Sequence, residues 1–221
     1  MMSSAAKVLV AVAGVVMLLS GCAVKGTPTW PGARLNGALL TAEDFPSGVR
    51  YDRIFEQLGQ ADGEGGPPAM MSEPDGCADG LTRVIAASAE RGPGNAAKYD
   101  VAYDGARIVM TVLGSELDLK HLAATAARCE LYLTYFDEAS EPILITTTKL
   151  KAVRPQSLVY QQTMQLQGSE SSVYFAFENV GDSGMFGIAF PTGDPSISVK
   201  ASLPQTFLDI TAKQAVRLQQ R

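Results

Sequence analysis

Four side chains in this sequence have a type and a setting that could support covalent chemistry: Cys22, Cys77, Cys129 and Ser183. Cys22 closes Leu19-Ser20-Gly21-Cys22, at the end of an apolar run from Val8 that follows the basic Lys7. A thiol placed directly after small residues at such a cut site can accept a diacylglycerol through a thioether. Cleavage before Cys22 then frees an amine for a further acyl chain, and two or three chains anchor stably where one exchanges. The pattern is a lipobox. Residues 1–21 have the parts of a secretory signal: a basic start, an apolar stretch and small residues at the cleavage point. The apolar stretch, 12 residues from Val8 to Leu19, is short of the roughly 20 that a hydrocarbon core requires. A cleaved signal is therefore expected, with Cys22 as the lipidated residue on the outer face of the cell membrane.

Ser183 lies in Gly181-Asp182-Ser183-Gly184, which resembles the nucleophile loop of trypsin-like serine proteases. Thr125-Ala126-Ala127-Arg128-Cys129 resembles their histidine motif, with Arg128 where the histidine should stand. A guanidinium stays charged at working pH and cannot take the serine proton. His121, the single histidine of the chain, falls on the same expected helix about two turns earlier. Ser183 is read as a turn residue and His121 as a surface or half-buried helix residue rather than a ligand or base. No catalytic residue, metal ligand or cofactor is nominated, because there is no Gly-x-Ser-x-Gly elbow, phosphate loop or dinucleotide fingerprint.

These readings divide the chain into a signal peptide (1–21), a flexible linker after the lipidated cysteine (22–37) and a single globular ectodomain (38–221). The linker contains Lys25, Gly26, Pro28, Trp30, Pro31 and Gly32, a composition suited to a spacer. Without its signal the chain has 17 basic and 23 acidic side chains, a formal balance of −6. That balance argues against nucleic acid as a partner and against a polybasic membrane patch. Export would place Cys77 and Cys129 where disulfides persist. The pair left after lipidation reads as one bridge, with two free buried thiols as the alternative. Leu119, Leu122, Ala126 and Cys129 share a helical face, as do Cys77, Leu81, Val84, Ile85 and Ser88.

The supporting elements follow from pattern. Thr41-Ala42-Glu43-Asp44 predicts a capped turn stopped by Pro46 and Gly48, before a strand near Val49–Leu58. Gly59–Pro74 reads as a loop carrying Met70 and Met71. Asp104-Gly105 predicts a hairpin between Lys98–Tyr103 and Arg107–Leu113, the second strand apolar on both faces and so central. A helix over Glu116–Leu131 follows. Ile143–Leu150, Leu158–Leu166, Val173–Phe177 and Met185–Phe190 then alternate as an antiparallel meander. Pro204 opens a last helix with Phe207, Leu208, Thr211, Ala215 and Leu218 on one stripe. The expected class is α+β: a twisted antiparallel sheet covered on one face by two or three helices, with one disulfide. Tyr160, Tyr174, Phe175, Phe177, Phe186 and Phe190 are core residues or the lining of an apolar pocket.

Leu39-Leu40-Thr41-Ala42-Glu43-Asp44-Phe45-Pro46-Ser47-Gly48, Pro74-Asp75-Gly76-Cys77 and Leu122-Ala123-Ala124-Thr125-Ala126-Ala127-Arg128-Cys129 carry a resemblance. The chain resembles small mycobacterial cell-envelope lipoproteins, whose ectodomains are similar in style to the extracellular sensor domain of PknH-type receptor kinases. The resemblance implies a sheet-and-helix domain held outside the membrane. A non-enzymatic binding, sensor-like or interaction module is expected, engaging a cell-wall component, a lipid or a membrane protein. A lipid or glycolipid carrier with an apolar cavity is the alternative.

Overall fold

Asp104 and Gly105 reverse the chain between two strands because Gly105 takes a left-handed backbone, φ +103°, that a side chain would disfavour. From this hairpin a computed structural model builds one continuous sheet. It describes residues 32–55, 70–88, 94–137, 139–166 and 168–220. The signal peptide, Cys22 and residues 59–69 of the expected loop lie outside the described residues. In chain order the elements are α1 (Ala33–Ala38), a 3-10 turn (Ala42–Asp44), β1 (Arg50–Ile54), β2 (Met71–Glu73), α2 (Gly80–Ser88), β3 (Ala96–Tyr103) and β4 (Ala106–Leu113). There follow α3 (Leu119–Arg128), β5 (Leu131–Tyr135), β6 (Ile143–Lys149), β7 (Leu158–Leu166), β8 (Ser169–Val180), β9 (Ser183–Phe190) and α4 (Gln205–Gln219).

The sheet has 9 antiparallel strands in the order β1-β3-β4-β9-β8-β7-β6-β5-β2. The run β6 to β9 is the expected meander, with the unexpected β5 added beside β6, and β9 closes onto β4 so that Ile108 faces Ala189 and Met110 faces Gly187. Ile108, Met110 and Val112 have no exposed surface, as a central strand requires.

Because strand residues alternate in direction, the register sorts the core into two layers. Tyr99, Val101, Ile108, Met110, Met185 and Ala189 pack with Leu35 of α1 and with Phe207, Leu208 and Ala215 of α4. Residues of the opposite parity, including Tyr160, Phe175 and Phe177, pack with Leu81, Val84 and Ile85 of α2 and with Leu122 and Ala126 of α3. The helices are thus shared between the two faces and not gathered on one. Alternation reports which residues share a face; it carries no record of which helix lies over it.

Two glycines permit this close layering. A Cβ at Gly187 would lie 2.8 Å from both Met110 Cε and Phe207 Cε2, so the bare backbone lets α4 settle on the sheet. A Cβ at Gly80 would lie 2.9 Å from Thr125 Cγ2, so α2 can lie against α3.

Side-chain hydrogen bonds lock the segment Ala38–Asp44 to α4. Gln214, with no exposed surface, accepts from the Leu40 backbone N–H at 3.0 Å and donates to the Ala38 carbonyl at 2.8 Å. Burying an amide is tolerable only when both of its ends are bonded. Asp44 accepts from the Thr41 N–H at 2.8 Å and takes both contacts from Arg217 at 2.7 Å, while Lys213 pairs with the same carboxylate. Burial alone would raise the Asp44 pKa, but the Thr41 hydrogen bond and the Arg217 and Lys213 charges outweigh it and hold it below its ordinary value.

Three expected boundaries change. The described part of the linker is already folded: Ala33–Ala38 forms α1, and Leu35 and Ala38 are buried because the sheet face needs an apolar cover there. The helix expected over Glu116–Leu131 is shorter at both ends. It is capped by Asp118, which accepts the His121 N–H at 2.8 Å, and it stops at Cys129, so Leu131 opens β5 instead. The segment read as a loop up to Pro74 contributes β2, where Met71, Ser72 and Glu73 pair with Tyr135, Thr134 and Leu133. Three residues are too few for alternation to announce a strand.

Candidate functional site

Cys77 and Cys129 form the expected disulfide, with Cα atoms 5.5 Å apart and a sequence separation of 52. Cys77 precedes α2 and Cys129 caps α3, so the bond holds the entry of one helix against the exit of the other. Ser72 Oγ accepts the Cys77 N–H at 2.9 Å, and Arg128 donates to the Asp75 carbonyl at 2.8 Å; together they pin the intervening loop. Around the sulfurs sit Tyr132, Ile143 and Ile145, with Met70 and Met164 alongside.

That cluster forms one wall of an apolar groove on the sheet face that carries α2 and α3. Its volume is about 290 Å³, and it is half-open to solvent. The wall comprises Tyr132, Ile145 and Met164; the floor is Val173 and Phe175 of β8, and the far side is Ile188 and Phe190 of β9. Thr82, Gln162 and Ser171 are its polar members. Every strand residue here has the same parity; Phe175 belongs to the α2–α3 core, Val173 and Ile188 pack against it, and Thr82 of α2 lines the groove, which thus lies at the edge of the helix layer.

The groove offers few fixed polar groups. The Gln162 amide donates to Thr147 Oγ1 at 3.2 Å. Burial pushes the Tyr132 hydroxyl up to about 12, against a smaller opposing effect from its hydrogen bond with Gln162, so it stays a neutral donor at physiological pH. Such a surface takes an apolar group beside one or two hydrogen-bonding positions.

Of the six aromatic residues singled out by alternation, Phe175 and Phe190 line the groove. Tyr160 and Phe177 are core in that layer, and Phe186 packs against it. Tyr174 faces the opposite layer. Tyr132, Ile145, Met164, Val173 and Ile188 escaped the sequence reading. Their common parity was visible within each strand, but their meeting depends on register between strands.

Ser183 is 2% exposed, and its hydroxyl donates to Asp182 at 3.2 Å in the β8–β9 turn. His121 lies exposed on α3, and Arg128 serves the Cys77 loop. The three belong to separate local arrangements. Among the described residues no group of three or more His, Cys, Asp or Glu side chains is placed to hold a metal, and no helix is long and apolar enough to cross a membrane.

No family model matches the chain, and no curated protein matches it. Among solved structures, the chain is similar to an uncharacterized protein from Mycobacterium smegmatis, with a TM-score of 0.46 and 11% identity, over 80% of this chain and 92% of that one.

Proposed function

We propose that the chain is a lipid-anchored extracytoplasmic lipoprotein whose domain is a non-enzymatic binding module, engaging an apolar group of its ligand or partner in the groove on the α2–α3 face. The observation that carries this reading is the groove itself: Ile145, Met164, Val173, Phe175 and Ile188 converge beside Thr82 of α2 around a half-open apolar hollow. The lipobox at Cys22 supports the compartment, and the likeness to mycobacterial envelope lipoproteins supports the setting. A cell-wall glycolipid or the apolar side chains of a membrane-protein partner would both suit such a surface.

Magnitude favours a module over a carrier. A volume of about 290 Å³ sits at the lower edge of the roughly 300–1,000 Å³ typical of small-molecule sites. It suits one short alkyl segment, whereas a carrier must enclose whole acyl chains. Covering about 200 Å² of alkyl surface is worth roughly 5 kcal/mol before ordering costs, which corresponds to weak, about millimolar binding.

Titration of the acyl-free mature chain with octyl glucoside below its micelle point tests this. The expected result is one-to-one binding that weakens at least tenfold in Val173→Glu with the native circular dichroism retained. Equal binding by both proteins would remove the groove from the account. Tight retention of an intact two-chain lipid through purification would favour the carrier.

A further inference from the structure

We infer that the end of the domain built from α1, the exit of β1 and the β8–β9 turn rests on the outer leaflet of the bilayer, with Ile54 and Phe55 dipping into the headgroup boundary and the groove turned away from it. The inference rests on the anchor at Cys22, and it adds a membrane-contact surface and an orientation to that reading.

Contacts place the start of the described chain beside these apolar residues. Gly32 accepts from the Asn36 side chain at 2.9 Å; Asn36 accepts from Arg53 at 2.7 Å through both its carbonyl and its side-chain oxygen; and the Arg53 guanidinium lies 5.8 Å from the Phe55 ring centre. Arg34 of α1 reaches Asp182 in the β8–β9 turn at 3.5 Å, so the turn belongs to the same end. Register agrees: Ile54 pairs with Lys98, Lys98 with Thr111, Thr111 with Phe186 and Phe186 with Phe177, a row three residues from Val180. Ile54 is 40% exposed and Phe55 71% exposed.

Isolated exposed apolar residues are ordinary; the tether is what gives these a partner. From Cys22 to Gly32 the sequence offers ten residue steps. A chain of that length has a root-mean-square span of about 17 Å and a limit of about 35 Å. Strand β8 has 12 residues, about 40 Å of sheet. The anchor therefore cannot let the far end of the sheet settle on the bilayer while Gly32 stays within comfortable reach. Phe136 marks the opposite end: 67% exposed, it follows the row Leu133, Leu144, Gln165 and Glu170 at the β7–β8 end. The groove floor at Val173 is four residues along β8 from Phe177, which stands in the Ile54 row, about 13 Å along the strand from the dipping residues.

The test uses full-length acylated protein reconstituted into phosphatidylglycerol–phosphatidylethanolamine vesicles with brominated acyl chains. Trp30 is the single tryptophan, so Trp30→Phe gives a silent background for Phe55→Trp, Ile54→Trp or Phe136→Trp, one at a time; all three sites are exposed and tolerate an indole. A blue-shifted emission quenched at least twofold at position 55 or 54, with no quenching at 136, is the expected result. Equal quenching at both ends, or none at 54 and 55 in protein that floats with the vesicles, overturns the orientation while leaving the anchor intact. Protein that does not float and has no acyl mass overturns the anchor, and the orientation with it.

Discussion

Cys77→Ser is expected to destabilise the folded domain by about 4 kcal/mol, because the bond closes a loop of 52 residues and so restricts the unfolded chain. For a domain of this size that corresponds to a fall in melting temperature of roughly 8–16 °C. The effect should reach the groove. Tyr132, Ile145 and Met164 belong both to the disulfide cluster and to the groove wall, so freeing the α2 entry from the α3 exit loosens the surface that a ligand would touch. Scanning calorimetry of the oxidised protein, the reduced protein and Cys77→Ser measures the first effect, and the octyl glucoside titration measures the second. A melting temperature within 2 °C of the parent would contradict a structural role for the bond.

Glu178→Ala should cost about as much, by a different route. Its carboxylate side chain is 3% exposed and lies 2.8 Å from Arg154 Nε, itself 16% exposed. Gln156 donates to the same oxygen at 2.9 Å, and the Ser157 hydroxyl donates to the other. Those three donors sit on the β6–β7 connection, so one residue of β8 holds the whole turn. Deleting it leaves a desolvated guanidinium without its counter-charge, a loss of about 3–5 kcal/mol. Replacing both charges, Glu178→Leu with Arg154→Met, should recover much of that loss, since buried pairs often do little better than well-packed apolar substitutes. Urea unfolding of the two single variants and the double variant gives the coupling directly. Additive losses, or a Glu178→Ala loss below about 0.5 kcal/mol, would mean that the cluster is a surface decoration.

Local signals were legible in the sequence wherever a single element contained its own evidence. Asp104-Gly105 announced its hairpin, Pro204 its helix, and Val173, Phe175 and Phe177 their strand, because turn chemistry and alternation are properties of consecutive residues. Cys77 and Cys129 could be paired because few cysteines remained to choose among. Elements fixed by distant partners were harder to read. β2 is a strand because Tyr135 offers an edge to Met71, and α1 is a helix within an expected linker because Leu35 has a sheet face to cover. Glu178 gave no signal at all: among alternating residues it looks like a solvated position, and only the return of Arg154 across the sheet makes it buried. The groove follows the same logic. Two of its three aromatic members, Phe175 and Phe190, were visible and Tyr132 was not, because its place there depends on register between strands.

The proposed role places this groove on a domain tied to a bilayer by one sulfur, and the mass of the native polypeptide tests that claim most directly. Protein extracted from membranes should begin at Cys22 and carry the added mass of two or three acyl chains. A polypeptide that begins at Met1 with an unmodified Cys22 would contradict the anchor, the exported compartment and the membrane-facing orientation together.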